Sequence, residues 1–286
     1  MRKLPREKKL RKVYIHLGMP KTASTAMQQH VFPKITSHNY ILKGDIRHII
    51  LTLDDLPTFI SYENFIGYPH INYRRKYNGF LKTRQSSLQA LGSLFPDADT
   101  ILVIRNHVDL VKSLYNQFIK VGGSISFKDY ISTGSEHRLE IEALIYEDLI
   151  ADIKSHFSGR LLVIDHRLIR DNLDMFEHVL LDFIGSTDYG IFTSLKDKRS
   201  NESLSMQQLR AQLWVNAFLK TDFKSDGIDL GQRGFKIGRY LAANVLAKMY
   251  TDESVFGEAE LMVLYDYFYD DQQHMCRLLE AGFAIL

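Results

Sequence analysis

The sequence is poor in the features that mark several common classes of protein. Its 286 residues include a single cysteine, Cys276, so an internal disulfide is impossible. No stretch approaches the roughly 20 consecutive apolar residues that span a bilayer, and the polar start lacks the apolar segment of a signal peptide. These shortages predict a soluble, cytoplasmic protein without disulfides.

Sequence motifs for metal binding are missing as well. The chain contains no HExxH, no paired CxxC and no EF-hand spacing, and its eleven histidines are scattered without the spacing of metal ligands. We therefore predict that the protein holds no metal.

The sequence also has little excess of one charge over the other, except at its start. The formal net charge is +2 at pH 7, which argues against a nucleic-acid partner. Basic residues are concentrated in residues 1–12, which predicts a flexible N-terminal tail; weak attraction to an anionic membrane surface is the alternative. Residues 13–286 are enough for one large hydrophobic core, so we predict a single domain there, of undetermined oligomeric state.

One segment, residues 13–29, has residue types that call for a chemical explanation. A β-prone run ends at Leu17, Gly18 and Pro20 interrupt it, and a helical stretch follows from Thr22. A strand, tight loop and helix in this order favour an anion at the start of the helix. Lys21 adds a positive charge, and Thr22, Ser24 and Thr25 add hydroxyl groups. The segment predicts a phosphate or sulfate site; an ordinary turn with a solvated lysine is the alternative.

The rest of the chain alternates apolar runs with helical patterns. The runs at 57–61, 100–104 and 161–164 predict buried strands. Helical spacing predicts helices over 73–95, 108–121, 139–157, 173–184, 202–219, 236–249 and 258–282. Residues 221–238, with four glycines, predict a flexible excursion. This alternation predicts an α/β fold with a mostly parallel central sheet.

Polar residues follow two of these predicted strands. Glu63 lies just beyond the strand 57–61, at the end of a sheet where ligands bind, and is a candidate acid or base; a surface carboxylate is the alternative. Arg105 ends the strand 100–104, and Ser113 lies two turns along the next helix, so the two are placed to bind one anion. The polar loop 185–201 contains Arg199 and Asn201, which together with Ser203 form a compact set of hydrogen-bond donors.

Two families of anion site compete for this pattern. A Walker loop of a nucleoside-triphosphate enzyme is one, and residues 161–165 imitate its second motif, four apolar residues and then an acid. The Walker loop requires a glycine directly before its lysine, whereas Pro20 precedes Lys21 here. This departure argues against a Walker loop. A P-loop kinase of a small molecule is the alternative interpretation.

The second family fits both elements. The segment GMPKTAST at 18–25 resembles the 5′-phosphosulfate loop of sulfotransferases, commonly GxPKTGTT, and RNHVDLVKS at 105–113 resembles their 3′-phosphate motif. The resemblance is to bacterial-type enzymes that use 3′-phosphoadenosine-5′-phosphosulfate (PAPS). Three positions depart from it: Ala23 replaces a common glycine, His107 a common proline, and 165–167 reads Asp-His-Arg in place of Tyr-Glu-Asp.

The resemblance implies a three-layer α/β/α fold of the P-loop-NTPase-like sulfotransferase type, and a role for each matching residue. Lys21 would stabilise charge on the bridging oxygen, Arg105 and Ser113 would bind the 3′-phosphate, and Glu63, in a segment resembling the Ser-x-Glu stretch of bacterial members, would be the base. His16 is the competing base, and His70 is the first histidine to examine if Glu63 is rejected. The further residues expected to bind the donor are Gly18, Pro20, Thr22, Ala23, Ser24, Thr25, Ala26, Arg199, Asn201 and Ser203.

The resemblance also implies the reaction. The donor would be PAPS, the product 3′-phosphoadenosine-5′-phosphate (PAP), and no metal would be required. We expect the acceptor to be a hydroxyl of a saccharide or glycolipid, with a small metabolite or a tyrosine as alternatives. A catalytically silent nucleotide-binding protein is a third possibility, disfavoured by the presence of Lys21, Glu63, Arg105 and Ser113 together.

Overall fold

The computed structural model describes residues 12–42, 56–63, 65–67, 80–132, 139–195 and 204–286, and within these ranges it contains a sheet of six strands. The strands are β1 (Val13–His16), β2 (Asn39–Leu42), β3 (Thr58–Ser61), β4 (Asp99–Ile104), β5 (Leu161–Asp165) and β6 (Phe283–Ile285). Their order is β2-β3-β1-β4-β5-β6; the first five are parallel, and β6 is antiparallel to β5. The predicted α/β class is therefore confirmed.

Helices connect the strands and continue the chain beyond β5. They are α1 (Ser24–His30), α2 (Phe80–Leu94), α3 (His107–Lys120), α4 (Phe127–Ile131), α5 (Tyr146–His156), α6 (Arg167–Asp171), α7 (Leu173–Ile184), α8 (Met206–Phe218), α9 (Gly231–Asn244), α10 (Glu258–Tyr267) and α11 (Tyr269–Leu278). Short 3₁₀ turns occur at Phe32–Lys34, Ile141–Leu144, Ile191–Leu195 and Leu246–Met249. No described helix is long and apolar enough to cross a membrane.

The central strands are buried on both faces, and this divides the core into two parts. In β4, Leu102 and Ile104 pack on one face of the sheet with residues of α2, α3 and α5. Ile101 and Val103 pack on the opposite face with residues of α1 and α7. Successive side chains of a strand point to opposite faces, so a continuous apolar run feeds both cores. The expected three-layer α/β/α arrangement is therefore present.

Two helices predicted as continuous are each broken in the structure. The predicted helix 139–157 is interrupted at Ile145, and the predicted helix 258–282 is divided at Phe268 into α10 and α11. The Asp271 carboxylate accepts hydrogen bonds from the backbone N–H groups of Tyr146 and Glu147 and pairs with His107 Nε2 at 2.7 Å. A carboxylate from a distant helix thus caps the start of α5, and the local pattern carries no sign of it.

The excursion predicted at 221–238 is folded. Phe223 is buried, Leu219 bridges to Ile228, and α9 begins at Gly231, five residues before the predicted helix. At the other end of the chain, residues 1–11 of the predicted tail lie outside the described residues. Lys12 already belongs to the folded part, because its ammonium pairs with Asp99 at 2.7 Å.

Candidate active site

The pairing of β1 with β3 brings Gly18 beside Glu63. His16 and Ser61, the last residues of these parallel strands, are partners in register, so Gly18 and Glu63 each lie two residues beyond the paired ends. A Cβ added to Gly18 would lie 2.5 Å from Glu63 Cα and 2.5 Å from the Tyr62 carbonyl oxygen. Only a glycine permits this approach of the two backbones, and the approach joins the Lys21 loop to the segment of the candidate base.

This approach gives a testable prediction. We expect Gly18→Ala to lower the free energy of unfolding by about 1–3 kcal/mol more than Gly185→Ala does, because backbone atoms of Tyr62 and Glu63 must move. Gly185 is the matched control: it also has a positive φ, +72°, but a Cβ there would have no neighbour within 4 Å. Urea unfolding of both variants measures the difference. Equal losses would show that the loop can retreat from the Glu63 segment without cost.

The loop after β1 holds two non-glycine residues in the left-handed region of backbone conformation. Lys21 has φ 66° and Ala23 has φ 63°. Such conformations cost energy for residues with a Cβ and tend to cluster at functional sites. Ala23 occupies the position where sulfotransferase loops commonly have glycine. Glycine would adopt this left-handed backbone conformation without strain, whereas alanine adopts it at an energetic cost.

The three hydroxyl groups of the loop have different partners. Thr22 Oγ1 and Ser24 Oγ are buried and donate to the Met19 carbonyl oxygen at 2.7 and 3.2 Å. Each hydroxyl has one proton to donate, so in this conformation these two stabilise the loop itself. Thr25 Oγ1 instead donates to Glu63 Oε2 at 3.0 Å. Thr25 thereby orients the candidate base from the loop of the candidate phosphate site.

A cavity of about 320 Å³ brings together residues from four separate segments of the chain. Of the residues predicted from the sequence, Lys21, Thr25, Glu63 and Ser113 line it. Five further lining residues were missed in the sequence: Asn116, Gln117, Lys120, Val121 and Arg239. The polar residues of α3 had a usable signal, because they follow Ser113 at three-, four- and seven-residue intervals on one helical face. Arg239 had none, since it belongs to no motif.

Lys21 lies in a partly desolvated, basic environment. Burial lowers the pKa of its ammonium, and repulsion from Lys120 lowers it further, while the Glu63 carboxylate acts in the opposite direction. A bound anion would relieve both unfavourable effects, because it replaces lost hydration and offsets the repulsion. The environment of Lys21 is therefore suited to a phosphate or sulfate group.

Arg105 lines a different cavity from Lys120. Its Nη1 donates to the Lys21 carbonyl oxygen at 3.3 Å, and its side chain lines a narrow cleft with Tyr146 and Asp165. Ser113, the other half of the predicted 3′-phosphate pair, lines the larger cavity. The predicted pair therefore lines two different cavities.

Two histidines near the strand ends are held neutral by burial. His16 is fully buried, its Nδ1 lies 2.8 Å from Ser61 Oγ, and burial lowers its pKa to about 4. It is not among the residues that line the cavity. Burial and the neighbouring Arg105 likewise lower the pKa of His166 to about 4. The environment of His16 agrees with a packing role in β1.

Part of the predicted site cannot be placed. Arg199, Asn201 and Ser203 lie outside the described residues, as do residues 68–79, which include His70. Pro20 and Ala26 are buried in the loop and in α1. The described candidate site therefore consists of the loop 18–26, Glu63, Arg105, and the residues of α3 and α9 that line the cavity.

Comparison with known proteins adds a likeness of fold. A scan against models of protein families and a search of curated proteins both give no match. Among solved structures, the chain is similar to a sulfotransferase from Alicyclobacillus acidocaldarius, with 13% sequence identity, a TM-score of 0.46, and coverage of 70% of this chain and 90% of that one. The α/β class of the chain rests on the strand order described above.

Proposed function

We propose that the protein is a sulfotransferase that moves the sulfuryl group of PAPS to a hydroxyl of an acceptor. The acceptor class that we propose first is a saccharide or glycolipid. The observation that carries the proposal is the joining of Lys21 and Glu63 in one cavity, with Thr25 of the loop donating to the Glu63 carboxylate. A cation for the leaving oxygen and a base for the attacking hydroxyl are the two groups that sulfuryl transfer requires.

In this proposal Glu63 accepts the proton of the acceptor hydroxyl as its oxygen forms a bond to sulfur. Lys21 stabilises the negative charge that develops on the bridging oxygen as the bond between sulfur and that oxygen breaks. PAP leaves with the electron pair of the broken bond, and the acceptor leaves as a sulfate ester. In-line transfer requires the attacking and leaving oxygens on opposite sides of sulfur, so it suits a base on a different segment from the lysine.

The chain offers a suitable set of groups for the donor. Lys21 and the loop 18–26 would hold the 5′-phosphosulfate, while Arg105 and Ser113, which line two separate cavities beside Lys21, would bind the 3′-phosphate. Thr22 and Ser24 support the conformation of the loop through the Met19 carbonyl. We include Arg199, Asn201 and Ser203 in the nucleotide site on the resemblance alone. The donor groups are cationic or neutral, and in the proposal they suffice without a metal.

The competing P-loop kinase would need Asp165 as its magnesium-binding acid. Both oxygens of the Asp165 carboxylate already accept hydrogen bonds from Arg167, from its backbone N–H at 2.7 Å and from its Nε at 2.8 Å. This carboxylate is therefore engaged in a local ion pair. The pairing favours sulfuryl transfer over the kinase interpretation.

Binding of PAP tests the proposal directly. We expect PAP to bind without divalent metal and to raise the melting temperature, because a ligand that binds only the folded state stabilises it in proportion to the logarithm of its concentration over Kd. Isothermal titration calorimetry with EDTA present, and parallel melting curves, measure both effects. MgATP serves as the comparison, since it lacks the 3′-phosphate.

The opposite result would be equally clear. Stabilisation by MgATP with none by PAP would reject the sulfotransferase proposal in favour of the kinase. Binding of PAP followed by no sulfation of any acceptor in a labelled-PAPS screen would favour the silent nucleotide-binding protein. The labelled-PAPS screen also distinguishes a saccharide from a glycolipid acceptor, and a cytoplasmic location is a further part of the proposal.

A further inference from the structure

The residues of α3 and α9 that line the cavity add two cations to Lys21. Lys120 is the last residue of α3, and Arg239 lies in the second half of α9. Both line the cavity together with Lys21, and Glu63 is the one carboxylate among the lining residues. Three cations and a single anion thus surround a volume of about 320 Å³.

Arg239 is incompletely satisfied among the described residues. Its Nε is buried and has no hydrogen-bond partner there, and its guanidinium lies 5.7 Å from the centre of the Phe235 ring. Burial also lowers the pKa of the guanidinium. An unpaired buried donor of a charged group costs free energy, so such groups normally have an anionic or hydrogen-bonding partner. Because the Arg239 side chain also lines the cavity, an anion bound there can pair with its guanidinium.

The basic residues also repel one another. Burial and then repulsion from Arg239 lower the pKa of Lys120, and Lys120 in turn lowers that of Lys21. Like charges held together in a partly buried site reduce the stability of the fold. The cluster is better explained by a ligand anion that lies between these side chains than by packing.

We propose that Lys120 and Arg239 form a subsite for an anionic group of the acceptor. The inference rests on the proposed function, because it places the acceptor beside Glu63 in the cavity that these residues share. Of the two residues assigned to the 3′-phosphate, Arg105 lines a different cleft with Tyr146, while Ser113 lines this cavity, so donor and acceptor would meet in it. The preferred acceptor would then be an acidic saccharide or glycolipid, bearing a carboxylate, phosphate or sulfate group, and a neutral sugar would bind less well.

The test separates the acceptor subsite from the donor site. In the first arm, calorimetry measures the affinity of PAP for the wild type, Arg239→Gln and Arg105→Ala. In the second arm, sodium sulfate is added to each protein saturated with PAP, against sodium chloride at matched ionic strength, and the melting temperature is followed. Sulfate serves as the probe for the anionic group. Lys236→Gln is the matched control, since Lys236 is exposed on the same helix and loses the same charge.

We expect sulfate to stabilise the PAP complex of the wild type beyond the effect of chloride. Arg239→Gln should raise the sulfate concentration needed for this stabilisation about tenfold or more, because a charge-assisted contact to one anion is lost. Its affinity for PAP should stay within about twofold of the wild-type value. Lys236→Gln should behave like the wild type. Arg239→Lys, which keeps the charge, should retain most of the response and so distinguish a charge effect from misfolding.

Four results would overturn the inference, and they point to three different failures. No sulfate response in the wild-type PAP complex, or an unchanged response in Arg239→Gln, would reject the subsite and leave the proposed function intact. A loss of PAP affinity in Arg239→Gln as large as that in Arg105→Ala would assign the arginine to the donor. A wild type that does not bind PAP at all would reject the proposed function itself, and the subsite with it.

Discussion

Replacement of Glu63 by glutamine is expected to lower turnover by about 10²- to 10⁴-fold, the usual contribution of a general base, and to leave PAP affinity nearly unchanged. Glutamine keeps the shape of the side chain and can still accept the hydrogen bond from Thr25 Oγ1, which is 3.0 Å long in the wild type. What it loses is the capacity to take the proton of the acceptor hydroxyl. The change therefore isolates the chemical step from the geometry of the site.

The measurement is single-turnover sulfation of an acceptor found in the labelled-PAPS screen, under conditions in which chemistry limits the rate. Glu258→Gln, at an exposed position in the first turn of α10, is the matched control and should retain full turnover. Retention of more than about a tenth of wild-type turnover by Glu63→Gln would reject this base. The search would then pass to His70, which lies outside the described residues.

For Lys21→Ala we expect turnover to fall by about 10²- to 10³-fold, with a smaller loss of PAPS affinity. Removal of one preorganised donor from a developing negative charge has a cost of this size, and the interaction strengthens only as the bridging oxygen becomes charged. Partial desolvation of Lys21 strengthens this interaction, since fewer water molecules screen the charge.

Kinetics with varied PAPS distinguish the two kinds of defect. Lys34→Ala, which removes an exposed lysine near α1, should leave both kcat and KM close to the wild-type values. If Lys21→Ala raised KM for PAPS and left kcat unchanged, the lysine would bind donor and transition state equally. Its role would then be the anchoring of the nucleotide, and the stabilisation of the leaving oxygen would have to come from another group.

Much of the architecture could be predicted because its signals are local. Buried parallel strands are continuous apolar runs, so 57–61, 100–104 and 161–164 were each located to within a residue or two. The edge strands β2 and β6 were missed, because a strand of three or four residues with a half-exposed pattern carries little periodicity. The breaks at Ile145 and Phe268 were missed because they accompany contacts with residues distant in the chain. Asp271 caps the helix that follows Ile145, and His107 stacks on Phe268.

The candidate site divides in the same way. The sequence by itself determined the strand, loop and helix around Lys21, the place of Glu63 beyond its strand, and the spacing of Arg105 and Ser113, because each depends on residues close together in the chain. Only the tertiary structure decided that Gly18 packs against the Glu63 segment and that Arg239 lines the same cavity as Lys21. Strand register sets the first contact and helix packing the second, and neither is a property of one segment alone.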